Sequence, residues 1–374
     1  MSSVNYGSAL PENNKASYSE YDTVDFQLTF ENSSLQLGSL RLEGELEVVH
    51  NGDFLNATAN EELNICYDPM TGAHGVCESV QTEMLGQVFE NITEYPRMVK
   101  QYAVARNSRE DMFNSSNVCE MRVSHDILST QLLKGEEVRT QLTTELRENP
   151  DFSVKLDTIL NSSTDLLPFD RSGPVRISIN LSRTNAFLHG LDVDNTTSYS
   201  LKDLRLVYKT VPGLENRNPI ELRRRLNVKQ SLQSSLANIS LKIPSDNVEA
   251  VTASFQVQAN ENTATKNNLT LEKIPNLEQL QFLFQDQTNS QVSFIIKDNS
   301  EVISRFVDAM GDTGRNSSSP SNVINNQGYG VGLKMSGGPV NLINQKFGIQ
   351  INSAISSAKP LIMYLYAHSV LTLN

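Results

Sequence analysis

The chain contains no tryptophan among its 374 residues, and only three cysteines and five histidines. Thiol and metal chemistry are therefore poorly supplied. Cys66, Cys77 and Cys119 are odd in number and lie outside any C-x-x-C spacing, which favours reduced, partly buried thiols over a disulfide framework or zinc site, with a Cys66 to Cys77 bridge as the alternative. His50, His74, His125, His189 and His368 are widely separated, with no H-x-H or H-E-x-x-H arrangement to hold a metal. Basic charge is also short, at 31 Lys+Arg against 43 Asp+Glu and a net charge of −12. Such a balance argues against a surface that collects phosphates, so direct binding of nucleic acid is not expected. The longest apolar stretch, residues 361–373, is interrupted by His368 and Ser369 and falls short of the roughly 20 residues that cross a bilayer. The first residues lack a basic region followed by an apolar one, so no secretory signal is visible and a protein that is not secreted is expected.

What the chain has in quantity is Asn (37), Ser (41) and Thr (23). These side chains compete for backbone hydrogen bonds and favour turns and exposed strand faces over helix interiors. With 38% hydrophobic residues the chain can still bury a core, which excludes wholesale disorder. Ten N-x-S/T sequons occur, at Asn32, Asn56, Asn91, Asn114, Asn161, Asn180, Asn195, Asn238, Asn268 and Asn316. Composition alone predicts roughly six, and without a signal peptide we read them as chance.

The dominant hydrophobic period is two, clearest at Val175, Ile177, Ile179 and Leu181. Similar alternation predicts strands at Phe26–Phe30, Leu35/Leu37 and Leu40–Val48, where the Gly38-Ser39 step flips the parity as a bulge would. More follow at Leu204–Tyr208, Ile239–Ile243, Val251–Ala259, Leu280–Phe284, Tyr329–Met335, Phe347–Ile351 and 361–373. Helical spacing is confined to residues 136–147, through Val138, Leu142 and Leu146, and to Val302, Phe306 and Met310 after a candidate cap at Asp298. No regular strand–helix alternation, G-x-G-x-x-G or P-loop is present, so an antiparallel sandwich is the better class. A break falls at residues 211–219, where two prolines and a glycine follow a strand. Each side of it carries a similar inventory of strands and one helix, which reads as an internal duplication of pattern.

Chemistry-bearing motifs are sparse. No G-x-S-x-G elbow occurs, and Cys77 near His74 lacks a third member. His74, within Thr71-Gly-Ala-His-Gly75, reads as a loop imidazole. Arg223-Arg-Arg225 is the only basic cluster; we read it as a linker segment salt-bridged to an acidic protein, with contact to an acidic partner or nucleic acid as the alternative. No catalytic, cofactor-binding or metal-binding residue is therefore assigned, and no enzyme activity or cofactor is expected. The loop at residues 311–327 reads as an exposed excursion of the kind that carries recognition.

In order along the chain, several stretches resemble the double jelly-roll major capsid proteins of the tectivirus and adenovirus lineage, including those of polinton-like viruses and virophages. They are Ser39–Val48, Tyr67–Gly75 leading into Phe89–Pro96, Val175–Leu181 and Leu201–Lys209 in the first half. In the second half they are Val251–Val257, Leu277–Asp286, the helix Val302–Met310, Tyr329–Met335, Phe347–Asn352 and Pro360–Leu373. The resemblance implies an all-β fold of two consecutive eight-stranded jelly-roll sandwiches with short inserted helices. It divides the chain into an arm (residues 1–20), a first roll (21–212), a linker (213–232) and a second roll (233–374). It also implies a structural protein of a dsDNA virus, located in the virion. The expected partners are other copies of the chain, in a pseudo-hexagonal homotrimer that tiles an icosahedral shell, together with penton and minor capsid proteins and an internal membrane. The Asn-rich loops at 107–117, 161–164, 260–268 and 316–326 are expected at the outer or lateral surface. A β-sandwich spike or lectin-like protein binding carbohydrate or a receptor is the competing reading, against which the missing tryptophan weighs.

Overall fold

The computed structural model describes residues 4–54, 65–68, 70–106, 119–122, 151–213, 218–284, 287–288, 299–311, 329–335, 337–343 and 345–373. Apart from six short strands in the first half, two sets of eight strands follow one another. The first comprises β1 (Asn5–Ala9), β2 (Thr23–Leu28), β3 (Arg41–His50), β4 (Cys77–Met84), β5 (Gln87–Thr93), β6 (Asp151–Lys155), β7 (Val175–Leu181) and β8 (Ser198–Pro212). The second comprises β9 (Ile220–Leu232), β10 (Leu236–Leu241), β11 (Val248–Val257), β12 (Gln279–Phe284), β13 (Gln287–Thr288), β14 (Gly330–Lys334), β15 (Phe347–Asn352) and β16 (Leu361–Leu373). Helix α1 (Tyr95–Arg106) follows the fifth strand of the first set, and α2 (Asn299–Ala309) follows the fifth strand of the second.

The strands pair antiparallel into two facing sheets per set. In the first set the orders are β1-β8-β3-β6 and β2-β7-β4-β5. In the second they are β9-β16-β11-β14 and β10-β15-β12-β13. Strand for strand the two orders are the same, 1-8-3-6 against 2-7-4-5, which is the connectivity of a jelly roll repeated along one chain. The duplication read from the pattern is thus one of topology. Alternation fills each sandwich: Val175, Ile177, Ile179 and Leu181 are buried with Phe26 beside them, as are Leu42, Leu46 and Leu206 of the facing sheet. Val251, Ala253, Phe255, Met363 and Leu365 do the same in the second roll.

Four expectations are corrected. Residues 220–232, expected as linker, form β9, which pairs residue by residue with β16. The N-terminal stretch expected as an arm contributes β1, laid along β8. The parity change at Gly38 is a turn, with a short strand (Ser33–Gln36) before it and β3 after it both pairing with β8. Gly38 takes φ +79°, and a Cβ there would stand 2.9 Å from the Ser163 carbonyl oxygen. Of the Asn-rich loops, the part at 260–268 ends in the buried Asn268. The helix expected at 136–147 and the loops at 107–117, 312–327 and 316–326 lie outside the described residues. Among the described residues no helix is long and apolar enough to cross a membrane.

Helix α2 buries Val302, Phe306 and Ala309 against β14, and the approach is permitted by glycine. A Cβ on Gly330 would meet the Phe306 ring at 2.6 Å, and one on Gly332 the Ala309 Cβ at 2.5 Å and the Arg305 carbonyl at 3.0 Å. Gly332→Val is expected to lift the helix and destabilise the second roll by about 1–3 kcal/mol, the usual cost of overpacking. Denaturant unfolding followed by far-UV circular dichroism checks this, and an unchanged midpoint would contradict the packing.

Candidate functional site: the junction between the rolls

The chemistry-bearing side chains converge on one place, the seam where α1 lies between the two sandwiches. The chain reaches this helix through Glu94, which adopts a left-handed φ of 57°, and Pro96 occupies the first turn, where its missing N–H costs nothing. Every residue from Tyr95 to Ala105 is buried, so the helix has no solvent face. Met98 and Val99 join the first roll's core. Arg97, Gln101 and Tyr102 turn their polar groups to the second roll. Arg97 donates through Nη2 to Gln256 Oε1 (2.7 Å) and the Asn268 carbonyl (2.5 Å), through Nη1 to the Thr270 carbonyl (3.3 Å), and stacks 3.8 Å over the Tyr364 ring.

A directional hydrogen-bond chain follows from the acceptors available. Arg225 Nε donates to the Tyr102 hydroxyl (2.9 Å), which donates to His368 Nδ1 (3.1 Å). That assigns the His368 proton to Nε2, which donates to Thr252 Oγ1 (3.0 Å); Thr252 donates to Gln101 Oε1 (2.9 Å), and Gln101 Nε2 to Ser254 Oγ (2.9 Å). The chain crosses the seam four times, so it fixes the register of the two rolls.

Charges buried at the seam are matched. Lys100 pairs with Asp68, whose carboxylate also accepts from the Asn267 amide (2.6 Å), the backbone N–H groups of Met70 and Thr71 (3.0 Å each) and the Thr71 hydroxyl (3.2 Å). Burial pushes the Asp68 carboxyl up, but the Lys100 ammonium and these donors hold it below the usual range. Glu90 accepts from the backbone N–H of Arg225 (2.8 Å) in the second roll and of Ile159 (2.6 Å) in the first. Burial raises its carboxyl to about 7, against the pull of the Arg225 guanidinium. His74 accepts from the Tyr95 hydroxyl (3.0 Å) and faces Glu120 (3.4 Å). Burial and the nearby Arg122 keep its imidazole neutral. For Glu120, burial is outweighed by His74, Arg122 and the Lys155 N–H, which bring the carboxyl down to about 2.

The residues singled out by sequence fall unevenly around this seam. His74 is fully buried, not the loop imidazole expected, and His368 lies in the hydrogen-bond chain. His189 is half-buried, and desolvation lowers its imidazole to about 4, while His50 contacts Thr197 (3.0 Å). His125 lies outside the described residues. Cys66 and Cys77 are buried free thiols, and burial pushes the Cys77 thiol up to about 12; Cys119 is exposed. The basic triplet divides: Arg223 faces Glu249 (3.6 Å), Arg224 donates to Ser369 (3.1 Å), and Arg225 is buried in the seam. Two sequon asparagines spend their amides internally, Asn161 on the Leu40 carbonyl (2.8 Å) and Asn268 on that of Asn185. Sequence reasoning missed α1 itself, although Pro96 and the Met98/Val99/Tyr102/Ala103 spacing signal a helix. Among the described residues no group of three or more His, Cys, Asp or Glu could hold a metal ion.

No family model and no curated protein sequence matches the chain. Solved structures match throughout its length, and they define the class: the chain has the double jelly-roll fold of viral major capsid proteins. The Faustovirus major capsid protein is 9% identical with a TM-score of 0.63, the match covering 100% of this chain and 91% of that one. A chain of the PBCV-1 virus capsid is 11% identical with a TM-score of 0.63, covering 100% and 95%. A chain of the Sputnik virophage is 9% identical with a TM-score of 0.55, covering 99% and 86%.

Two predictions test the seam. Asp68→Ala strands the Lys100 ammonium in the interior and is expected to cost about 3–5 kcal/mol, whereas Asp68→Ala combined with Lys100→Met recovers most of that loss. Urea midpoints of the three proteins check this, and additive losses would contradict the pairing. Glu90 has a raised folded pKa, so the protonated form is favoured on folding: its contribution is fully present below the ordinary value of 4.5 and is lost as pH rises through about 7. The stability difference between wild type and Glu90→Gln, measured across that window, is expected to shift against wild type as pH rises. A flat difference would contradict the assignment.

Proposed function

We propose that this chain is the major capsid protein of a dsDNA virus, and that it assembles as pseudo-hexagonal homotrimers that tile an icosahedral shell. The observation that carries this reading is the repeated jelly-roll topology over the whole chain, matching solved capsid chains end to end. The seam supports it as well. Its buried hydrogen bonds from Arg97, Gln101, Tyr102 and Arg225 fix one roll against the other, as a rigid tile requires. On this reading the role is structural and not enzymatic, and the protein resides in the virion. Its partners are other copies of itself, penton and minor capsid proteins, and a membrane beneath the shell. With a net charge of −12 the subunit does not grip the genome directly.

The purified chain is expected to run as a trimer of 41.6 kDa subunits that resists dilution, and to form hexagonal sheets or shells under negative stain. A monodisperse monomer that binds glycans would replace this reading with that of a carbohydrate-binding sandwich.

A further inference from the structure

Lys100 is the only buried lysine among the described residues, and the groups around it are those that an amide exchange needs. On α1 it stands one turn beyond Arg97, so the two share a face of the helix. Arg97 clamps the segment that follows β11 of the second roll by donating to the carbonyls of Asn268 (2.5 Å) and Thr270 (3.3 Å). That clamp brings Asn267 onto the pair formed by Lys100 and Asp68. Lys100 Nζ donates to Asp68 Oδ2, and Asn267 Nδ2 donates to the same oxygen (2.6 Å). The N–H groups of Met70 and Thr71 (3.0 Å each) and the Thr71 hydroxyl (3.2 Å) occupy the other oxygen, Oδ1, which keeps Oδ2 turned to the two nitrogens.

The neighbours of the Asn267 amide also fix which of its ends is which. Its nitrogen meets a carboxylate, which only accepts, and its oxygen accepts from the Leu269 N–H (2.8 Å). The arrangement therefore holds a primary amine, a carboxylate touching both that amine and the amide nitrogen, and a backbone donor on the amide oxygen. These are the nucleophile, proton carrier and oxyanion donor of an acyl transfer. Lys100 and Asp68 are 4% and 2% exposed, which keeps water from competing, whereas Asn267 is half-buried and leaves a departing group a way out. Asp68 is the poorer acyl partner, because Lys100 and its other donors hold its carboxyl ionised and an anion resists attack by an amine.

We propose that Lys100 and Asn267 become joined by an isopeptide bond, formed by the folded chain itself with Asp68 carrying the protons. Lys100 is charged at rest, so a proton first passes from Nζ to Asp68 Oδ2. The freed amine forms the new bond to Asn267 Cγ, and the Leu269 N–H meets the negative charge that gathers on Oδ1. The bond from Cγ to Nδ2 then breaks. Of the two protons that Nζ gives up, one departs on Nδ2 as ammonia and one stays on Asp68. The step thus turns a buried ion pair into a neutral amide and a neutral acid, which burial favours, and it consumes no oxidant or co-reactant. Proximity replaces an external enzyme, and each chain reacts once. The product ties the first roll covalently to the second, beside the hydrogen-bond chain that sets their register.

Mass spectrometry of the full chain, purified and incubated in its folded state, tests this. The wild-type chain is expected to be lighter than its sequence by one ammonia. Its tryptic map is expected to join residues 98–106 to residues 267–273 through Lys100 and Asn267, with no cleavage after Lys100. Asn267→Ala leaves the pair of Lys100 with Asp68 in place and is expected at its full sequence mass. Asp68→Asn, shown to be folded by far-UV circular dichroism, is expected to stay unlinked although both reacting groups remain. A wild-type chain that keeps its full sequence mass after prolonged incubation overturns the proposal. So does a loss of ammonia that maps to a succinimide at Asn51, which precedes Gly52, or a loss of water that joins Lys100 to Asp68. A link that still forms in folded Asp68→Asn overturns the part given to Asp68.

Discussion

Helix α1 can lie between two sandwiches only if every polar group on it finds a partner, and this condition sets how the rolls are held. Removing an ammonium or guanidinium from water costs several kcal/mol per ion, and attraction repays it only with good geometry and saturated hydrogen bonding. Arg97, Lys100 and Arg225 each find specific acceptors, on Gln256, Asp68 and Tyr102 respectively, while Arg97 Nε and Arg225 Nη1 face Glu94 and Glu90 only at 4.0 and 3.9 Å. A seam of this kind gives little net adhesion compared with an apolar one. What it gives is a single permitted register, because a small slip of one roll against the other would strand the buried guanidiniums of Arg97 and Arg225 together.

The second roll solves a similar problem by other means. Helix α2 is amphipathic and keeps Ser304, Arg305 and Asp308 exposed while Phe306 lies on the glycine pair of β14. It lies on its own sheet, whereas α1 is given over to the neighbouring one. The two rolls therefore share a topology but not a division of labour: one supplies the fastening helix and the other the sheet that receives it. That sheet accepts polar contacts because Thr252, Ser254 and Gln256, alternating with Val251, Ala253 and Phe255, point outward along β11.

This division explains what the sequence made legible. Strands with one wet face and one dry face, such as β7, announce themselves by period two, and each predicted strand stretch in the described residues is found. Helix α1 does not, because burial on all sides removes the polar stripe that marks a helix, while Arg97, Lys100 and Gln101 read as surface residues. The Arg223–Arg225 triplet misled for the same reason. Three adjacent cations suggest an exposed linker, yet alternation along a strand sends Arg225 into the seam between Glu90 and Tyr102 and leaves Arg223 outside. Charge says where a residue is expensive to bury, and only the partner, distant in sequence, says whether it is buried.

The same bookkeeping relocates the acidic excess. Among the described residues the buried acids Glu47, Asp68, Glu90 and Glu120 are nearly balanced by the buried Arg97, Lys100 and Arg225. The interior of the described part is therefore close to neutral, and burial there accounts for little of the net charge of −12. Copies of such a chain repel one another at long range, and salt at physiological strength confines that repulsion to about 8 Å. Association then depends on contacts that act only at touching distance, namely apolar side chains and unpaired strand edges. The first roll carries both features at β1, whose Tyr6 is exposed and whose second edge pairs with no strand among the described residues.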